Sequence, residues 1–126
     1  MKISIIIPVY NEEKTILNVL NEIDNLKFSK FEKEIIIIDD GSTDRTKTIL
    51  AKNNNVYNKY ISFDLNKGKG AAVKAGLEIS SGDYIVFHDA DLEYEPNDLL
   101  KFEDLFIKFN ADGIIGSRFN YDKYTR

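Results

Sequence analysis

The order of residues predicts an α/β fold, a mainly parallel sheet held between two helix layers. Three observations carry that expectation. Strand-like and helix-like patterns alternate four times before a last strand-like run. The strand-like runs are near-continuous Ile and Val, the pattern of strands covered on both faces. Polar clusters follow three of these runs, and a parallel sheet opens all its strand C-termini on one edge, where ligands of such sheets bind.

"ISIIIPV" (Ile3 to Val9) reads as the first strand. From Asn11, apolar residues recur at Ile16, Val19, Leu20, Ile23 and Leu26, one face of a helix. Asn11 suits its N-cap, with Glu12 and Glu13 in the first turn. "EIIIID" (Glu34 to Asp39) is a second strand, and "GSTDRTKTILAK" turns into a second helix capped by Ser42 or Thr43. "YISFDL" (Tyr60 to Leu65) is the third strand. "NKGKGAAVKAGLEIS" is a glycine-containing loop that runs into the third helix. "DYIVFHD" is the fourth strand. "PNDLLKFEDLFIKFN" is the fourth helix, with Leu99, Phe102, Phe106 and Phe109 on one face, and "ADGIIGS" closes the pattern as a fifth strand.

The 126 residues fit a single domain, 1–126, and 43% hydrophobic content is enough for a core. The absence of cysteine excludes disulfides and thiolate chemistry, and suits a reducing cytoplasm. A net charge of −4 argues against nucleic-acid binding, which calls for a basic face. The apolar run near the N-terminus is too short for a signal peptide or a membrane span.

The polar clusters carry the chemistry. In "DADLE", Asp89 and Asp91 are two residues apart, so in an extended chain both leave one face, about 7 Å apart. Such a pair suits a hard divalent ion, because Mg²⁺ favours one or two carboxylates plus substrate phosphate oxygens. Glu93 continues the spacing. Asp39 directly follows its strand and is placed to accept from N–H groups of a ligand such as a nucleobase. Ser42, Thr43 and Asp44 read as caps of the next helix. In "PVYNEE", Pro8 ends the strand's hydrogen bonding and Tyr10 is able to pack on a base or ribose. Glu12 suits either a ligand hydroxyl or the helix N-terminus.

"NKGKGAAVKAG" matches neither the P-loop nor the dinucleotide pattern. It reads as a turn with close helix packing, or as a place for Lys67 or Lys69 near phosphates. Arg118 in "GSRF" would pair with a donor diphosphate or with the carboxylates. His88, the single histidine, precedes Asp89 in a strand and therefore points the other way; it reads as a hydrogen-bonded structural residue.

Taken together, "SIIIPVYNEEKTI", "EIIIIDDGSTDRT", "NKGKGAAVKAGLEISSGDYIVFHDADLEYEPNDL" and "GIIGSRF" resemble glycosyltransferase family 2, with its GT-A fold. The branch they resemble most holds the dolichyl-phosphate mannosyltransferases and bacterial polyprenyl-phosphate sugar transferases. In those mannosyltransferases glutamine usually stands where this chain has Glu93.

The resemblance implies an enzyme that transfers a sugar from a UDP- or GDP-sugar, with inversion, to a polyprenyl phosphate at a membrane surface. It implies that Pro8, Tyr10, Glu12, Ile37, Asp39, Asp89, Ala90, Asp91 and Arg118 bind the nucleotide sugar. Asp89, Asp91 and Arg118 would serve catalysis, and Asp91, Glu93 and Asp89 would hold Mg²⁺ or Mn²⁺. A polyprenyl phosphate oxygen is already anionic, so no general base is named. Family members continue into an acceptor-binding, membrane-associated region, so the chain is expected to hold the nucleotide half of a cytoplasmic enzyme peripheral to the membrane. Two further readings stay open: a nucleotide-sugar-binding module without turnover, and a transferase acting on a saccharide acceptor. A nucleotidyltransferase would need a basic, glycine-rich segment where "PVYNEE" is acidic, and a phosphoacceptor signalling domain would need a lysine in place of Arg118. An uncovered sheet edge would favour self-association.

Overall fold

In a computed structural model, residues 1–90, 96–101 and 103 are described. Four strands, β1 (Lys2–Val9), β2 (Glu32–Asp39), β3 (Lys59–Ser62) and β4 (Tyr84–Phe87), form one sheet in the order β3-β2-β1-β4. Every pairing is parallel, as the Ile-rich runs require. The expected fifth strand, and Phe102, Phe106 and Phe109 of the fourth helix, lie outside the described residues. That helix is seen from a 3₁₀ turn at Pro96–Asp98 into helical residues 99, 100, 101 and 103.

Strand pleating sorts the core into two layers, because successive side chains leave opposite faces. Ile3, Ile5, Ile7, Ile35 and Ile37 face α1 (Ile16–Asp24) and α2 (Thr46–Lys52), joined by Leu99. Ile6, Ile36, Ile38 and Phe87 face the other way, onto Ala72 of α3 (Lys69–Ile79). The result is the expected three-layer α/β/α arrangement. The five apolar positions read as the buried face of the first helix, Ile16 to Leu26, are all buried.

Two buried carboxylates hold the sheet away from its C-terminal edge. Glu34 accepts from Ser4 Oγ (2.8 Å), Ser81 N (3.0 Å) and Ser81 Oγ (2.8 Å), and pairs with Lys59 Nζ at 3.1 Å. Glu103 accepts from Ser29 N and Oγ, Lys30 N and Phe31 N at 2.6–3.0 Å, which docks the fourth helix onto the loop before β2. Burial pushes the Glu103 carboxyl up, and these hydrogen bonds outweigh it and hold the group below the usual carboxylate range.

Three local expectations are corrected. Asn11 is not an N-cap: it sits at φ 51°, the left-handed region that asparagine tolerates, and α1 begins later, at Ile16. Glu12 and Glu13 therefore precede the first turn. Ser42 and Thr43 do not cap α2, whose N-cap is Arg45 with no side-chain cap bond. The third strand ends at Ser62, short of Leu65, because its partner β2 ends opposite, at Asp39.

Candidate functional site

Strand order places the site. The chain leaves β1 for β2 and later returns to β1's other side as β4, so the order reverses between β1 and β4. Such a switch point leaves a crevice beyond the strand C-termini. Pro8 lies beside that gap. It does not end β1, which runs on to Val9 paired with β2; the β4 side, however, pairs only as far as Ile6 opposite Phe87. A missing N–H is tolerated where a neighbour has dropped away.

The crevice holds a cleft of about 200 Å³ lined by Pro8, Val9, Tyr10, Glu12, Asp40, Lys69, Asp89 and Ala90. Small-molecule sites are commonly roughly 300–1,000 Å³, so these residues build part of one. The structure thus brings together Pro8, Tyr10, Glu12, Asp89 and Ala90 of the expected residues. Ile37 packs in the core, fully buried. Asp39 is 0% exposed; its Oδ1 accepts from Ser42 N at 2.8 Å, and its Oδ2 has no hydrogen-bond partner among the described residues. Asp39 is not among the residues that line the cleft; its neighbour Asp40 is. Asp91, Glu93 and Arg118 lie outside the described residues.

Asp40 was missed because two adjacent aspartates at a strand end look alike until the last paired residue is known. Asp39 is that residue, opposite Val9 and Ser62. Asp40 lies one step beyond, where its oxygens accept from Lys67 N (2.7 Å) and Gly68 N (3.1 Å) ahead of α3. Gly68 takes φ 96°, which glycine permits, and so turns the chain into the helix. Lys69 is then delivered into the cleft, where its Nζ meets Asp89 Oδ1 at 2.6 Å. Lys67 instead lies over the Phe63 ring, 4.7 Å from its centroid. His88 is buried, with Nδ1 2.7 Å from the Asp89 carbonyl oxygen, in line with a structural histidine.

The residues after β2 act as a clasp for the loop after β1. Asn11 N donates to Ser42 Oγ (2.9 Å), and Asn11 Oδ1 accepts from Thr43 N (2.7 Å) and Asp44 N (3.2 Å). Glu12 N donates to Thr46 Oγ1 (3.0 Å) and Glu13 N to Asp44 Oδ2 (3.3 Å). Burial pushes the Asp44 carboxyl up, but hydrogen bonds from Thr46 and the Glu13 N–H hold it below the ordinary value. The main chain that carries Tyr10 and Glu12 is therefore held in place by the protein's own hydrogen bonds.

Electrostatically the cleft gathers three carboxylates, Glu12, Asp40 and Asp89, and one ammonium, Lys69. Hard oxygen donors of this kind fit Mg²⁺ or Mn²⁺ in chemistry. Among the described residues no three metal-ligating side chains converge. Nor is any helix among them long and apolar enough to cross a membrane.

Residues 4–126 match the family described as Glycosyl transferase family 2. The chain is 38% identical over 120 residues to a dolichol-phosphate mannosyltransferase of Pyrococcus furiosus, covering 94% of this chain and 34% of that one. Staphylococcus aureus TarS, solved in complex with UDP-GlcNAc, superposes with a TM-score of 0.75 at 32% identity, over 89% of this chain and 33% of that one. A glucosyl-3-phosphoglycerate synthase from Mycobacterium tuberculosis, solved with Mn²⁺, UDP and glucosyl-3-phosphoglycerate, gives 0.63 at 31% identity, over 78% and 37%. The chain spans half or less of the length of the curated relatives it matches first. These neighbours are GT-A glycosyltransferases, and this chain has a mixed α/β fold with a four-stranded parallel sheet. With nearly its whole length inside the match, the chain belongs to glycosyltransferase family 2.

Proposed function

We propose that this chain is the donor-binding part of an inverting glycosyltransferase that moves a sugar from a nucleotide-diphosphate sugar to a polyprenyl phosphate. The observation that carries the reading is the cleft at the β1/β4 switch point, which collects Pro8, Tyr10, Glu12, Asp89 and Ala90. Tyr10, 45% exposed at the rim, offers a ring face to the base or ribose. Glu12 accepts from a sugar hydroxyl. Asp39, whose Oδ2 has no hydrogen-bond partner among the described residues, is the residue to read the base, beside Asp40 on the cleft wall. Lys69 stands where a diphosphate would lie and releases Asp89 when it turns to the phosphates. Asp89, Asp91 and Glu93 are the residues to hold Mg²⁺ or Mn²⁺, and Arg118 completes the diphosphate contacts. A bound divalent ion supplies charge neutralisation for the departing diphosphate. The polyprenyl acceptor is supported by the dolichol-phosphate relative, and a polymer acceptor by the likeness to TarS.

Calorimetric titration of UDP and GDP, with Mn²⁺ or with EDTA, tests the reading. One nucleotide is expected to bind with Mn²⁺ dependence. Asp91→Ala is expected to abolish that dependence, and Lys69→Met to weaken binding about tenfold. Binding of neither nucleotide by the folded chain refutes the donor site.

A further inference from the structure

We propose that Asp40 is a positioning residue, whose carboxylate seats the main chain ahead of α3 so that the Lys69 ammonium is delivered into the cleft. The seat consists of the protein's own contacts; its role toward a diphosphate rests on the nucleotide-sugar reading and deepens it. Every polar group of Asp40 is engaged with another element or loop. Its N–H donates to the Val9 carbonyl at 2.8 Å, which ties it to the end of β1. Its carbonyl accepts from Asn66 Nδ2 at 3.1 Å. Its Oδ1 and Oδ2 accept from Lys67 N and Gly68 N, one each, and the residue is 5% exposed. Gly41 completes the seat. It takes φ 76°, and a Cβ there would lie 2.4 Å from both Asn66 N and the Leu65 carbonyl carbon, so that peptide rests directly against its Cα.

The third helix does not cap itself. Its N-cap is Gly68, which has no side chain to offer. Its first turn holds no acidic residue and opens on Lys69, a charge that the helix dipole disfavours at that end. Carboxylates from other elements offset it. Asp40, at the end of β2, grips the two N–H groups ahead of the helix, and Asp89, after β4, lies 2.6 Å from Lys69 Nζ. Lys69 directly follows the second gripped N–H, so a shift of that turn moves its side chain. A lysine set against the dipole of its own helix serves the cleft rather than the helix. The N–H groups of residues 67 and 68 already serve Asp40, so this loop meets a diphosphate through the Lys69 side chain rather than through those amides.

Asp40→Asn keeps the shape but turns an NH₂ towards one of the two N–H donors, which undoes one prong. Removing a negative charge from the cleft would by itself favour an anionic ligand, so a loss of affinity reports a displaced Lys69. With Mn²⁺, whichever of UDP and GDP the wild type binds is expected to bind Asp40→Asn about three- to tenfold more weakly. In a Lys69→Met background the same change is expected to alter affinity by less than about twofold. Unchanged or tighter binding by Asp40→Asn overturns the proposal. So does an equal loss in both backgrounds, the mark of a merely structural role.

Crystal structures of wild type and Asp40→Asn need no nucleotide. Lys69 Nζ is expected to contact Asp89 in the wild type and to lie beyond about 4 Å in the variant. A contact kept in both, or absent from the wild type, overturns the seat. Should wild type bind neither nucleotide, the donor-site reading fails separately and these structures decide the role of Asp40. If Asp40→Asn does not fold, Gly68→Ala replaces it: alanine at φ 96° strains the same turn, and its Cβ meets nothing within 4 Å. An unmoved Lys69 in that variant overturns the proposal, and a displaced one sustains it.

Discussion

Glutamine at position 34 removes one negative charge from the end of the sheet away from the cleft. Burial pushes the Glu34 carboxyl up, but hydrogen bonds from Ser81 N–H and Oγ, Ser4 Oγ and Lys59 Nζ outweigh burial and hold it at about 2, against an ordinary 4.5. A carboxyl held low in the folded state stabilises the fold above pH 4.5, and the contribution is lost as pH falls towards about 2. At about 1.36 kcal/mol per pH unit, this amounts to about 3 kcal/mol at neutral pH. Glutamine keeps one acceptor oxygen but turns an NH₂ towards groups that themselves donate. Glu34→Gln is thus expected to cost about 2–3 kcal/mol at pH 7. Urea unfolding of both chains measures the gap, and the wild-type difference isolates Glu34 from the other carboxylates. By pH 3 the gap is expected to fall to roughly half or less. A gap that is constant from pH 7 to 3, or below about 0.5 kcal/mol at pH 7, refutes the assignment of this network as a charge-based staple.

Gly76→Ala places a Cβ 2.5 Å from Ile6 Cγ2, in the layer between α3 and the sheet. The gain in helix propensity, about 1 kcal/mol, is outweighed by a packing strain of about 1–3 kcal/mol, so urea midpoints should fall; in an Ile6→Ala background, which lacks Cγ2, the same change should cost less. At Asn11, alanine loses the bonds to residues 43 and 44 and meets left-handed strain, whereas glycine loses only the bonds. Asn11→Ala is therefore expected to be less stable than Asn11→Gly by about 1 kcal/mol in thermal unfolding, and equal stability would remove strain from the account.

Much of the sheet and the buried helix face was legible because hydrophobic burial leaves a periodic trace. Runs such as Ile35 to Ile38 announce two-sided cover, and Ile16, Val19, Leu20 and Ile23 announce one helix face. The polar ends were less legible, since a short polar side chain can satisfy its own helix or reach across the fold. Asn11, Ser42 and Thr43 all read as local caps and instead tie two loops together. Asp40 and Lys69 depended on where β2 stops and where α3 starts, and element ends are set by tertiary pairing. Lys69 did carry a hint, a lysine within a glycine-bearing helix start.

The strand order also sets a timetable. β1 can pair with β2 once Asp39 has been made, but its other edge waits for β4, which ends at Phe87. At ribosomal rates of about 5–20 residues per second, that interval lasts roughly 2–10 seconds. Throughout it, Ile3, Ile5 and Ile6 belong to a strand with one edge unpaired. Another nascent copy offers the same unpaired edge, so expression yield is governed by the race between β4 arriving and two such edges meeting.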